Sequence, residues 1–239
     1  MIFLINLAFA TPDTTHIPYC NIAPEHCSYA LNAEPRATRN PNLLRFSDPE
    51  LKDPELIPVL VARLLEEQDE SIQIALLGLL HYQDLSLVSD SLFTITDRPS
   101  PDLRAQLVEL LPYLTKDTQI KTIDKLIEDD DWLVREAVVR VIARHLGTNY
   151  PHILQRSLQD TTAEVRTQAI KGVGWNDIAI PLETLRPLLL DENPTVRLHT
   201  VRTINRIYPT KLTSLPEFTS MQNDQNPRVK REILRLNQQ

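Results

Sequence analysis

One phrase recurs along this chain at a nearly constant interval, and that interval restricts the fold more than any other feature. The stretches EDDDWLVREAVVRVI, LQDTTAEVRTQAI, DENPTVRLHTVRTI and NDQNPRVKREIL share a polar, acid-containing turn, a valine followed by a base, and then an apolar stripe. Marking the apolar residue of each phrase and its weaker upstream copies gives Ile72, Leu103, Val134, Val165, Val196 and Val229, with spacings of 31, 31, 31, 31 and 33 residues. A fixed period in this range denotes a supersecondary unit that cannot bury its own apolar face and stacks on copies of itself.

Each unit reads as two helices. Counting from the marked residue, positions +4, +5 and +8 are almost always apolar, as in Val138, Val139 and Ile142 or Ala169, Ile170 and Val173. This is the stripe of an amphipathic second helix. Positions −11, −8 and −7 supply a first helix, as in Ile123, Leu126 and Ile127 or Leu185, Leu188 and Leu189. An acid lies five residues before the mark at Glu67, Asp129, Asp160, Asp191 and Asp224. Pro101, Pro194 and Pro227 fall in the same turn, where a missing amide hydrogen does least harm at a helix start. The expected fold is all-α, an α-solenoid or superhelix of six helix pairs. Its repeats are 54–84, 85–115, 116–146, 147–177, 178–208 and 209–239, the last with a two-residue insertion. Only 4 glycines among 239 residues argue against nucleotide-binding loops and all-β designs, and 18 prolines suit many short connections.

The repeat resembles the short bacterial HEAT-like repeat named for the phycobilisome lyases. Asp129 with Val134-Arg135, Asp160 with Val165-Arg166, and Asp191 with Val196-Arg197 carry the resemblance. It implies a ladder in which Asp129, Arg135, Asp160, Arg166, Asp191 and Arg197, with Arg104, pair within or between neighbouring repeats. Gln73 stands where the arginine belongs and Arg98 where the acid belongs, so the first two repeats are degenerate. Lys230 and Asn237 give the last repeat the look of a cap. Such repeats occur in lyases, hydroxylases and plain scaffolds, so the motif implies a fold and no activity.

A candidate partner-binding surface follows from helical geometry. Positions +6 and +10 of the second helix point away from its apolar stripe. The +6 row reads Gly78, Glu109, Arg140, Lys171, Arg202 and Arg235, and the +10 row Tyr82, Tyr113, Arg144, Trp175, Arg206 and Gln239. Arginine, lysine and aromatics on one face suit an acidic segment of another protein, through charge-assisted pairs and cation–π contact. The charge distribution agrees: 19 acidic against 7 basic residues from Asp48 to Asp131, then 10 against 15 from Trp132 onward. That asymmetry also permits head-to-tail self-association. The formal net charge of −7 makes a nucleic acid an unexpected partner.

No nucleophile elbow, phosphate loop, H-E-x-x-H or paired C-x-x-C is present. The six histidines occupy unrelated repeat positions, and no His-Glu dipeptide occurs. No metal or cofactor is expected, and the first reading is a non-catalytic protein-binding scaffold. The alternative is a cytosolic enzyme-accessory subunit resembling bilin lyases.

The first ten residues, MIFLINLAFA, are apolar and end in Ala8-Phe9-Ala10, the small-x-small pattern of a signal-peptide cleavage site. Residues 11–53 then form an extension holding Cys20 and Cys27, which read as one disulfide if the chain is exported. The expected location is periplasmic or secreted, or cytoplasmic if the leader is retained.

Overall fold

The structure, a computed structural model, describes residues 56–237. The expected leader at 1–10 and the extension at 11–53 with Cys20 and Cys27 lie outside them. Among the described residues every regular element is helical. The chain divides into two compact units at Val88/Ser89, inside the predicted 85–115 repeat.

In the first unit, α1 (Leu56–Glu66) and α2 (Glu70–Leu79) pack together, with Leu60, Val61, Leu64, Leu76 and Leu77 buried. Their three-residue turn is tied by side chains. Glu67 accepts the backbone N–H groups of Gln68 and Asp69, and Asp69 caps α2 by accepting from the Ile72 N–H.

The second unit begins with α3 (Ser89–Phe93), extended by a 3-10 turn, and α4 (Pro101–Val108). It continues with α5 (Lys116–Leu126) and α6 (Trp132–Val141), then α7 (Pro151–Ser157) and α8 (Ala163–Trp175). Two further pairs follow: α9 (Leu182–Leu185) with α10 (Pro194–Ile207), and α11 (Pro216–Ser220) with α12 (Pro227–Leu236). The second helices α4, α6, α8, α10 and α12 pack one on the next in series. The predicted prolines start α4, α10 and α12 behind Ser100, Asn193 and Asn226, whose side-chain oxygens cap the next turn.

The first helices are less regular than their apolar spacing suggests. In α9 the helix lasts four residues and tightens to a 3-10 turn over Arg186–Leu190, because Pro187 offers no amide hydrogen. After α3 the hydroxyls of Thr94 and Thr96 donate back to the carbonyls of Ser91 and Phe93, competing with the helical ladder.

The turns between first and second helices are held by one repeated device. Arg135 donates through Nη1 to the carbonyls of Asp129 and Asp130 in its own turn, and through Nε and Nη2 to the Asp160 carboxylate of the next repeat. Asp160 in turn accepts the Thr162 N–H. Arg104–Asp129, Arg166–Asp191 and Arg197–Asp224 repeat the pattern, with Nε–Oδ2 distances of 2.7, 2.8 and 2.7 Å. The two-residue insertion falls between Arg197 and Asp224, and the clamp closes across it unchanged. Burial pushes the carboxyls of Asp129, Asp160 and Asp224 up, but their arginine and backbone donors outweigh it and hold them below 3.8. The stabilisation is therefore complete above that value and is lost as pH falls through the depressed range.

The apolar register accounts for the core. Position +5 is filled by Val108, Val139, Ile170 and Val201, all 0% exposed, but Leu234 of α12 is 47% exposed. Among the described residues α12 packs on α10 with no further second helix beyond it.

Replacing Arg166 by alanine strips two turn carbonyls of a donor and the Asp191 carboxylate of its guanidinium partner, leaving Asp191 only the Asn193 N–H, and is expected to cost about 2–4 kcal/mol. Arg166→Lys keeps the charge without the fork and should recover less than half of that loss. Urea denaturation of the three proteins measures both.

Candidate partner-binding face

The exposed sides of α6, α8 and α10 lie next to one another and carry the central part of the predicted surface. Along α8, residues Glu164, Gln168, Lys171 and Trp175 follow spacings of four, three and four, which keeps them on one face. Thr195, His199, Arg202 and Arg206 occupy the matching positions on α10, and Leu133 and Arg140 two of those on α6, where Glu136 stands one residue before the third.

Most of the predicted cations are already paired. Arg140 donates through Nη1 to Glu109 Oε1 and through Nε to Glu136 Oε2 at 3.2 Å. The Glu136 Oε1 atom accepts from Gln168 on the neighbouring helix. Arg202 and Arg235 share Glu232, at 3.4 and 2.8 Å. Arg206 grips Asp177 with two bonds of 2.7 and 3.1 Å, although both side chains stay exposed. The second-helix face is thus a mixed-charge network across neighbouring repeats.

Two cations stand outside it. Lys171, half-buried, and Arg144, exposed, make no ion pair among the described residues, and Trp175, four residues beyond Lys171 and at the repeat position of Arg144, is 51% exposed. Arg144 lies on a π-helical turn, Ile142–Leu146, that extends α6. The wider turn changes the angular register there, so His145 is exposed as well as Arg144. Asn176 supports this departure by donating to the Ala143 carbonyl and to Gly172 O. Gly172 lets α8 approach this segment: a Cβ there would lie 2.7 Å from the Ala143 Cβ.

Asp177 holds a second irregularity. Its φ of 49° is left-handed, and the Ile178 N–H bonds to the Val173 carbonyl, closing α8 in a Schellman turn. Glycine is the usual occupant of that position. Aspartate here delivers a carboxylate to Arg206, whose hydrogen bond holds its pKa below the ordinary value.

His199 sits half-buried among the cations. Burial, and then the positive fields of Lys171 and Arg202, push its imidazole down from 6.5 to about 4, so it is neutral at pH 7.

Of the predicted aromatic end, Tyr82 belongs to the first unit, is exposed and has φ of 63°. Tyr113, in the second unit, is half-buried on a 3-10 turn. The +6 and +10 rows do not include a groove at the start of the second helices, of about 400 Å³, lined by Trp132, Leu133, Glu136, Glu164, Gln168 and Thr195. A broader depression of about 560 Å³ near Asp129, Arg135 and Asp160 belongs to the turn clamps. Among the described residues no His, Cys, Asp and Glu group is arranged to hold a metal, and no helix is long and apolar enough to cross a membrane.

His199 should titrate near 4, and Lys171→Ala should raise that value; NMR of the imidazole proton follows both. Because the folded value lies below the unfolded one, its stability contribution is complete above about 6.5 and declines as pH falls toward 4.

Comparison with known proteins matches residues 89–174 to a family model described as HEAT repeats. No curated protein sequence matches the chain. The crystal structure of YibA from Escherichia coli superposes with a TM-score of 0.57 at 18% identity, covering 84% of this chain and 75% of that one. An engineered protein superposes with a TM-score of 0.52 at 12% identity, covering 76% and 95% respectively. At these identities the likeness is one of fold. Residues 89–174 are thus similar to HEAT repeats, and the helical-pair architecture of the described residues agrees with that likeness.

Proposed function

We propose that the protein is a non-catalytic scaffold that binds an acidic segment of a partner protein on the face formed by α6, α8 and α10. The observation that carries this reading is that Lys171 and Arg144, on neighbouring helices, make no ion pairs among the described residues, while Trp175, one turn beyond Lys171, is half-exposed. An incoming carboxylate gains charge-assisted bonds there without first breaking an internal pair, and the indole offers apolar area. Asp177 acts as a stand-in for such a carboxylate, occupying Arg206 until a partner's acid displaces it. The spacing of 31 residues and the Asp…Val-Arg phrase support a repeat of the short, phycobilisome-lyase type.

The proposal includes export, supported by the leader-like sequence at 1–10 and the pair Cys20 and Cys27. Intact mass of the protein from its own host should show loss of the segment through Ala10. Both thiols should react with alkylating agent only after reduction. A retained leader with both thiols free rejects export.

Binding is tested with an immobilised polyglutamate peptide. Lys171→Glu with Arg144→Glu should reduce retention at least about tenfold without moving the helical melt, as expected for losing two charge-assisted contacts. Asp177→Asn, which keeps the left-handed turn and releases Arg206, should strengthen retention. Rising salt should weaken it in all cases. Retention indifferent to all three substitutions removes the face from consideration.

A further inference from the structure

The groove at the start of the second helices and Lys171 both draw on α8, and their chemistries are opposite. Glu164 opens the exposed stripe of α8 and, like Lys171, makes no ion pair among the described residues. Its neighbour Glu136 is already occupied by Arg140 and Gln168, so Glu164 is the carboxylate of the groove left for an incoming cation. Beside it Trp132 is 44% exposed and Leu133 half-buried, which gives an apolar wall along which a long aliphatic stem can lie. A lysine or arginine side chain meets these demands together: its methylenes on Trp132 and Leu133, its charge against the indole face and Glu164.

We propose that the face reads a segment carrying both charges in a set order: a Lys or Arg in the groove at Trp132 and Glu164, and an acid at Lys171. This rests on the acidic-segment reading given above and adds a second anchor to it. The spacing follows from helix geometry. Glu164 and Lys171 are seven residues apart on α8, about 10.5 Å along its axis at 1.5 Å per residue. An extended segment lying along α8 covers that distance in about three residues at 3.3 Å each. The preferred pattern is therefore a base followed or preceded, according to chain direction, by an acid three positions away, with an apolar residue beyond the acid facing Trp175.

The test uses the full chain on an array of capped alanine–serine heptapeptides. These carry one Lys and one Glu at separations of one to five, in both orders, with Lys-only and Glu-only controls. Native protein should retain one order of the three-apart peptide about tenfold above the Glu-only control, the contribution expected of one cation–π contact with an ion pair. Glu164→Lys should abolish that excess while keeping Glu-only retention, and Glu164→Gln, which removes charge without reversing it, should reduce the excess. Circular dichroism melts establish that both variants fold. Equal retention of Glu-only and Lys–Glu peptides by native protein, responsive to Lys171→Glu, overturns the two-anchor proposal and leaves the acidic-segment reading standing. Retention of no peptide, or retention indifferent to both Glu164→Lys and Lys171→Glu, overturns both.

Discussion

The guanidinium clamp between successive turns is the interaction on which the second unit's geometry rests. Each of Arg104, Arg135, Arg166 and Arg197 binds backbone carbonyls of its own turn and a carboxylate of the next repeat. It therefore fixes two things at once: the conformation of a turn, and the position of that turn relative to its neighbour. Hydrophobic stacking alone is non-directional and tolerates sliding. A planar fork against a carboxylate does not, because lateral displacement breaks both of its bonds together. With the turns pinned, the second helices are brought side by side and their outward stripes form one surface.

That surface is built largely as a self-satisfied network, and this shapes how it can recognise anything. Where an arginine already holds an acid, a ligand carboxylate competes with an internal one, and the net gain is the difference between two similar bonds. Sites where no exchange is needed supply most of the affinity. The face is also polarised along α8. On α8 the acid stands in the first turn, where it complements the helix macrodipole, and the cation in the second half. A surface feature that favours the helix by itself is thereby available for recognition at no cost to the fold.

Most of the architecture was legible because it is periodic. Apolar positions recur across six copies, a turn acid in five of them and an arginine after the mark in four, so chance resemblance averages out. The insertion before Asp224 altered the count and left the clamp intact, showing that spatial register is maintained by the turn and that the added length is taken up in the connection. The candidate face was only partly legible. Reading the +6 and +10 rows collects the cations but omits the acids that answer them, since Glu136 lies at +2, Glu232 at +3 and Asp177 at +12. Adding positions −2, −1, +2, +3 and +12 to the projection would have revealed both those pairs and the Trp132–Glu164 groove. The π-helical turn after α6 had no such signal. It depends on Asn176, one repeat later, which donates to the Ala143 carbonyl at that segment.

The uncovered Leu234 has a consequence for how the molecule comes apart. Interior second helices are held by an interface on each side, whereas among the described residues α12 is held on one. In a stack governed by nearest neighbours, the free energy to open a unit scales with the number of interfaces broken. Amide protons of α12 should therefore exchange through local fraying that leaves α8 closed, and each repeat lost exposes a fresh +5 side chain in its turn: first Val201, then Ile170. Unfolding from this end is a zipper with a defined starting tooth, and any partner that covers Leu234 would act as its stop.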